Sequence, residues 1–295
     1  MLANYLDRTL LRNDVALYAA RQTDMDWNPS GEFVELVLNN KHLGNYYLCE
    51  QIRVDKNRVN IKEMTVDDVT GENVTGGYLV ELDNNFDEIN KFKSSIRQLP
   101  YMFKNPDEDV LQPEQFTYFQ DYVNAFESAL YKEDWLESGD FRNYIDYGSF
   151  ADFWIIYELA KSHEPKHPRS CYMHKDWNGK LKAGPVWDFD YGTWRGDGWW
   201  IENALYYDQL FKDPLFVEVV KSHWNKYKLS FETIPEYIRN KAEFIEKSNE
   251  HNIGLWPILY NNNGDAYLPF GEAIETLILC YKERIEWLDI AINGL

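Results

Sequence analysis

The sequence predicts an α+β fold with two lobes, a sheet-rich part over residues 1–112 and a mainly helical part over 113–295, forming a single domain. Three observations predict it. Strand-like alternation fills most of the first third. From Pro113 the apolar spacing changes to three and four residues. One hairpin, 171–191, is embedded among the later helices and ends in Trp187-Asp188-Phe189-Asp190. Strands first and helices after is the order of segregated α+β folds.

In chain order, residues 5–21 read as a helix. Leu10, Leu11, Val15, Leu17 and Tyr18 give an apolar side, with Arg8, Arg12 and Arg21 around it. Pro29-Ser30-Gly31 break the chain. Two strands follow, 32–38 and 44–52, joined by the turn formers Asn39-Asn40-Lys41-His42-Leu43-Gly44, as in a hairpin. Residues 54–64 are expected to continue the sheet. Thr75-Gly76-Gly77 is a turn, Tyr78-Leu79-Val80-Glu81-Leu82-Asp83 a third strand, and 99–106 a short strand carrying Lys104 near its end.

In the second part, Phe116, Phe119, Tyr122, Val123, Phe126 and Leu130 mark an amphipathic helix. A helix around Phe150, Phe153, Trp154 and Tyr157 is apolar nearly all round and predicts burial on every side. It ends in the loop 162–170, interrupted by Pro165 and Pro168. Cys171-Tyr172-Met173-His174 and 181–183 pair as a hairpin through Asp176-Trp177-Asn178-Gly179. Three more helices are read from apolar positions at Phe216 to Tyr227, at Ile234, Tyr237, Ile238, Phe244 and Ile245, and over 272–292.

Composition narrows the function. With 30 Lys and Arg against 49 Asp and Glu, the net charge is −19, the opposite of the basic field a nucleic-acid partner requires. No apolar run reaches the roughly 20 residues of a membrane span. Residues 1–8 show no signal-peptide pattern, and their abrupt start is what a chain cut from a longer one would show. Cys49, Cys171 and Cys280 are far apart and form no zinc spacing or disulfide framework.

The stretch after the embedded hairpin reads as extended. Asp188 and Asp190 then share one face, with Trp187, Phe189 and Tyr191 on the other. Two adjacent carboxylates repel, so the pair holds a divalent metal, shares a proton, is solvated, or caps a turn. Gly192, Gly196 and Gly198 let the following loop approach a ligand. Phosphoryl transfer needs metal-holding carboxylates, a cation for the phosphates and a group that orients the acceptor. Asp188 and Asp190 supply the first, Lys104 is a candidate for the second or a solvated lysine, and Glu164 is a candidate acid/base group. Glu50 and Glu81 are expected to pair with a lysine or arginine, or to be ordinary surface carboxylates. His163, Glu164 and His167 invite a metal reading, but Pro165 and Pro168 remove the helical face of an HExxH site. No GxSxG elbow, Walker A loop or GxGxxG is present. A glycosidase pair of Glu164 with Asp188 stays open, and the 11 Trp residues suit sugar stacking.

The chain resembles the CotH kinase family, the spore-coat protein H group, over almost its whole length. The resemblance is carried by Leu2-Ala3-Asn4-Tyr5, Leu10-Leu11-Arg12-Asn13, the run from Asn39 through Gln51-Ile52, Arg58-Val59-Asn60-Ile61 and Gly76-Gly77-Tyr78-Leu79-Val80-Glu81-Leu82-Asp83. Its strongest parts are Arg169-Ser170-Cys171-Tyr172-Met173-His174 and Gly184-Pro185-Val186-Trp187-Asp188-Phe189-Asp190, with Arg284-Ile285-Glu286-Trp287-Leu288-Asp289 near the end. It implies an atypical protein-kinase-like fold and phosphorylation of protein serine or threonine hydroxyls with ATP and Mg. Carried over, Asp188 and Asp190 resemble the metal-binding acids, with Asp188 also catalytic. Lys104, Glu50, Arg53 and Trp187 fall to cofactor binding, and Glu164 to the base. The sequence departs from the family where an Asn-x-Asp and a later Asn are usual: here stand Ser162-His163-Glu164 and Ser170. The alternative is a catalytically degenerate member that binds glycan or protein at a surface. The form is similar to those of gut Bacteroidetes, which implies export or surface attachment.

Overall fold

The computed structural model describes every residue except Arg195 and Gly196. A five-stranded antiparallel sheet lies at its centre, in the order β4-β5-β3-β6-β7. The strands are β3 (Tyr78–Leu82), β4 (Lys91–Lys93), β5 (Pro100–Asn105), β6 (Cys171–Lys175) and β7 (Leu181–Ala183). All five residues of β3 are buried, as expected for a middle strand covered on both faces. The sheet takes strands from both sides of residue 112, and sheet and helices share one hydrophobic core. The chain is α+β, but the strand order is not segregated at that boundary. β4, within a polar stretch, has only Phe92 as an apolar anchor and carries no sequence signal of its own.

β1 (Gly31–Leu38) and β2 (Lys41–Cys49) form a separate two-stranded hairpin. The six-residue link expected from Asn39 to Gly44 is only two residues long. Asn39 and Asn40 take positive φ of 50° and 60°, the requirement of a tight hairpin turn, and pairing resumes at Lys41. The 54–64 stretch does not extend the sheet. It folds into a turn, with Asp55 accepting from the Asn57 N–H (2.8 Å) and one isolated bridge between Val54 and Val59.

The first helix is shorter than periodicity suggests: α1 runs Arg12–Ala20. Leu10 sits at φ 60°, and the Asp7 carboxylate accepts from the Thr9 (2.9 Å) and Arg12 (2.7 Å) N–H groups. A side chain thus satisfies donors that another helical turn would have satisfied. Arg12, read as flanking an apolar side, is buried between Asp7 and Asp265.

α2 (Pro113–Tyr131) begins with a reciprocal cap between Gln112 and Gln115 and with proline in its first turn. Its Phe119 packs on Tyr78 (4.9 Å) and Phe103 (5.5 Å) of the sheet. α3 (Trp135–Ser138) and α5 (Tyr207–Leu210) are single turns. α4 (Tyr147–Ala160), capped by Asp146 on the Ser149 N–H, is buried on nearly every side, as its composition predicts. It packs among β7, α1, α6 (Pro214–Phe231) and α8 (Phe270–Asn293). α7 (Ile234–Leu255) leans on the β1–β2 hairpin and α8. Phe244, read as part of its apolar face, is exposed. Among the described residues no helix is long and apolar enough to cross a membrane.

Candidate acidic active site

β7 hands the chain into residues 184–191, which form no strand. Their backbone is held by side chains from distant elements instead of by a ladder. The Asn28 Oδ1 accepts from the Val186 N–H (3.1 Å), and the Asn13 Oδ1 accepts from the Phe189 N–H (2.7 Å). The Tyr157 hydroxyl of α4 donates to the Trp187 carbonyl (2.9 Å). Asn263 donates through Nδ2 to the Asp190 carbonyl (2.8 Å), and its Oδ1 accepts from the Thr193 N–H (3.2 Å). Val186 and Phe189 are fully buried, Phe189 against Tyr157. Apolar anchors and amide clamps thus hold the aspartates in place from both sides.

The strict alternation expected of an extended segment fails at Asp188, which sits at φ 64°. Phe189 turns into the core as expected. Tyr191 does not: it lines the same cavity as Asp188 and Asp190. The two carboxylates still converge, but through a left-handed residue and not through strand geometry.

The cavity measures about 630 Å³. Glu164, in the single 3₁₀ turn Glu164–Lys166 that follows α4, faces it together with Asp188 and Asp190. Burial, and then the Asp188 charge, push the Glu164 carboxyl up to about 7. The same two causes, in the same order, push Asp190 up to about 7, and burial raises Asp188. Burial holds all three carboxyls toward their neutral forms, the Asp188 charge adds to this at Glu164 and Asp190, and Arg169 and Arg12 oppose it only in part. Asp83, at the end of β3, closes one wall. Its carboxylate accepts from the N–H groups of Asn85 (2.6 Å) and Ser170 (3.2 Å). His163, His167 and Arg169 also line the cavity; Arg169 is exposed, and His163 Nε2 is 3.7 Å from Glu164 Oε1.

The remaining candidates fall elsewhere. Lys104 does not line the cavity. It pairs with Glu88 (2.5 Å) and Glu81 (3.5 Å), and Glu81 in turn bonds with Ser170 and Tyr172. Glu81 therefore has the cationic partner expected of it. Glu50 has none among the described residues: its carboxylate accepts from the Ser30 N–H (3.0 Å) and hydroxyl (2.9 Å). Arg53 is exposed and meets Asp55 (3.3 Å). Glu50 and Arg53, expected beside a nucleotide, line no part of the acidic cavity, because both follow β2, which ends at Cys49 in the separate hairpin. Trp187 is half-buried and lines no part of the acidic cavity; its backbone carbonyl accepts from the Tyr157 hydroxyl. Gly192 lines a neighbouring cavity with His163 and Tyr191, while Gly198 accepts from Arg284 Nη1 (2.8 Å). Gly196 lies outside the described residues.

Sequence reasoning missed Asp83, Arg169, Asn13 and Asn263. The first three stand inside the runs that carry the family resemblance, so position in those runs was an available signal. Asn263 has no such signal.

Among the described residues no group of three or more His, Cys, Asp or Glu side chains is arranged to hold a metal ion by itself. A nucleotide-bound Mg is commonly held by one or two carboxylates together with substrate phosphates and waters. Asp188 and Asp190 are hard oxygen donors of the right number and charge for it.

No curated protein matches the chain. The family model described as CotH kinase protein matches residues 1–288. That match spans nearly all of the 295 residues, and the chain belongs to the CotH kinase family.

Proposed function

We propose that this domain transfers the γ-phosphate of ATP, with Mg, to a serine or threonine hydroxyl of a protein. The observation that carries the reading is the convergence of Glu164, Asp188 and Asp190 on one cavity, where none of the three forms an ion pair with a lysine or arginine among the described residues. Asp188 and Asp190 hold the metal, which supplies charge neutralisation for the phosphates. Arg169 at the rim meets phosphate oxygens, a role its guanidinium fork suits; Lys104 is held off by Glu81 and Glu88. Glu164, poised near neutrality, accepts the acceptor's hydroxyl proton. The hydroxyl oxygen bonds to the γ-phosphorus as the bond from that phosphorus to the bridging oxygen breaks, and ADP leaves.

The test is phosphate incorporation from labelled ATP into the protein itself and into a serine-rich acceptor, with a thermal melt in ATP and Mg alongside. Wild type is expected to incorporate label and to melt higher with both ligands, and Asp188→Ala to do neither. Incorporation unchanged in Asp188→Ala would remove this site assignment. The second reading, a degenerate binding module, draws on Ser162-His163-Glu164 and Ser170 standing where the family usually has an Asn-x-Asp and a later Asn. Absence of any ATP–Mg shift in wild type would favour it.

A further inference from the structure

A second cavity lies on the other side of the N-terminal segment. Leu6 lines the acidic cavity, whereas Ala3 and Tyr5 line this one, of about 330 Å³. Its remaining walls come from β2 and the end of α7: Leu43, Asn45, Tyr46, Asn252 and Trp256. None of these residues carries a charge, in a chain of net charge −19.

The walls are held in place. Trp256 donates through Nε1 to the Leu43 carbonyl (2.7 Å), which fixes the indole while 44% of the residue stays exposed. Asn252 accepts through Oδ1 from the Asn45 N–H (2.9 Å). Gly44 makes this approach possible. At its φ of 101°, a Cβ would stand 2.4 Å from Asn252 Oδ1 and 3.1 Å from Trp256 Cδ1.

The Asn45 amide is the second, independent observation. It is only 2% exposed, and its Oδ1 has no partner. Its orientation is fixed, because Nδ2 donates to Ser248 Oγ (2.7 Å) and the Ser248 hydroxyl donates to Glu35. Ser248 has one proton and gives it to Glu35, so the side of Asn45 facing Ser248 must be the donor. The acceptor is left unspent. A buried acceptor with no partner destabilises a fold that gains nothing else from it.

We propose that this cavity binds a neutral carbohydrate. The apolar C–H faces of a pyranose rest on aromatic rings such as Tyr5, Tyr46 and Trp256, whose faces carry negative quadrupole density. Its hydroxyls are both donors and acceptors, and a small shift of the wall lets one of them reach the Asn45 Oδ1, which is sealed from solvent as the cavity stands. A nucleotide or an acidic sugar would need a cation, and the walls have none. The site does not depend on the phosphotransfer reading.

The test is titration of the full chain with cellohexaose, chitohexaose and mannohexaose, followed by tryptophan fluorescence and calorimetry, with adenosine as a separate arm. At least one hexasaccharide is expected to bind. Trp256→Ala and Tyr5→Ala should each weaken that binding by about tenfold or more. Tyr5 is 40% exposed, so Tyr5→Ala tests the site should Trp256→Ala disturb the hairpin. The proposal is overturned if no hexasaccharide binds up to about 1 mM, if binding survives both substitutions, or if adenosine alone binds and loses affinity in both.

Discussion

The molecule treats buried carboxylates in two ways. Beneath α1, Asp7 and Asp265 share one guanidinium: Arg12 Nη1 contacts Asp7, and Arg12 Nη2 is 2.7 Å from Asp265 Oδ2. All three are nearly inaccessible, and the Asp7 carboxylate also accepts two backbone N–H groups. In the acidic cavity, Glu164, Asp188 and Asp190 face one another with no such partner among the described residues, and Glu164 and Asp190 are pushed to about 7. Both arrangements bury negative charge. One neutralises it internally and so fixes the chain; the other leaves it for something that arrives from outside.

Four outcomes would sharpen or break that contrast. The largest concerns activity. Asp188→Ala should lower phosphotransfer by about a hundredfold or more, the scale of losing one pre-organised electrostatic group. Labelled-phosphate incorporation checks it, and full activity would mean the cavity is not the reaction centre. Next is stability on the paired side. Arg12→Ala should destabilise by about 3–5 kcal/mol, because two buried carboxylates lose their cation. Denaturant melts measure this, and a loss under about 1 kcal/mol would show that water reaches these aspartates.

A smaller effect is expected at the rim: Arg169→Ala should weaken ATP–Mg binding by about 1.5–3 kcal/mol, whereas Lys104→Ala should change it far less. Calorimetric titration separates the two. The reverse order would return the phosphate contact to Lys104.

The smallest effect has a distinctive sign. The folded pKa values of Glu164 and Asp190 lie above their usual 4.5 and 3.8. Their neutral forms are therefore favoured by folding, and that stability is intact below those usual values and lost as pH rises toward 7. In metal-free protein, Glu164→Gln should raise stability at pH 8 by about 1–2 kcal/mol and leave it unchanged at pH 4. Melts at both pH values decide it. Added Mg should shrink the gain at pH 8, because the wild-type carboxylates then have a cation.

Much of this was readable beforehand, and the failures share a cause. The strands at Tyr78 and Cys171 and the helices α2, α4, α6, α7 and α8 follow from local periodicity and motif, whereas Asp188 reaches the cavity through a left-handed residue that periodicity does not register. The family resemblance assigns Lys104, Glu50 and Arg53 to cofactor binding. Glu81 and Glu88 draw Lys104 away, while Ser30 and Asp55 engage Glu50 and Arg53 in and beside the hairpin. The early end of the first helix was hidden for a related reason: Asp7 competes for backbone donors, and helical spacing does not register a side-chain acceptor.

By itself, the sequence determined the α+β class, the order of elements, the family and the acidic character of the site. These depend on periodicity and on residues close together in the chain. Tertiary structure alone decided that β6 and β7 complete the sheet begun by β3, that Asn13 and Asn263 clamp the aspartate loop from 176 and 73 residues away, and that Arg169 stands at the cavity while Lys104 does not. Those contacts join segments whose spacing along the chain carries no period, so only the packing of the core brings them together.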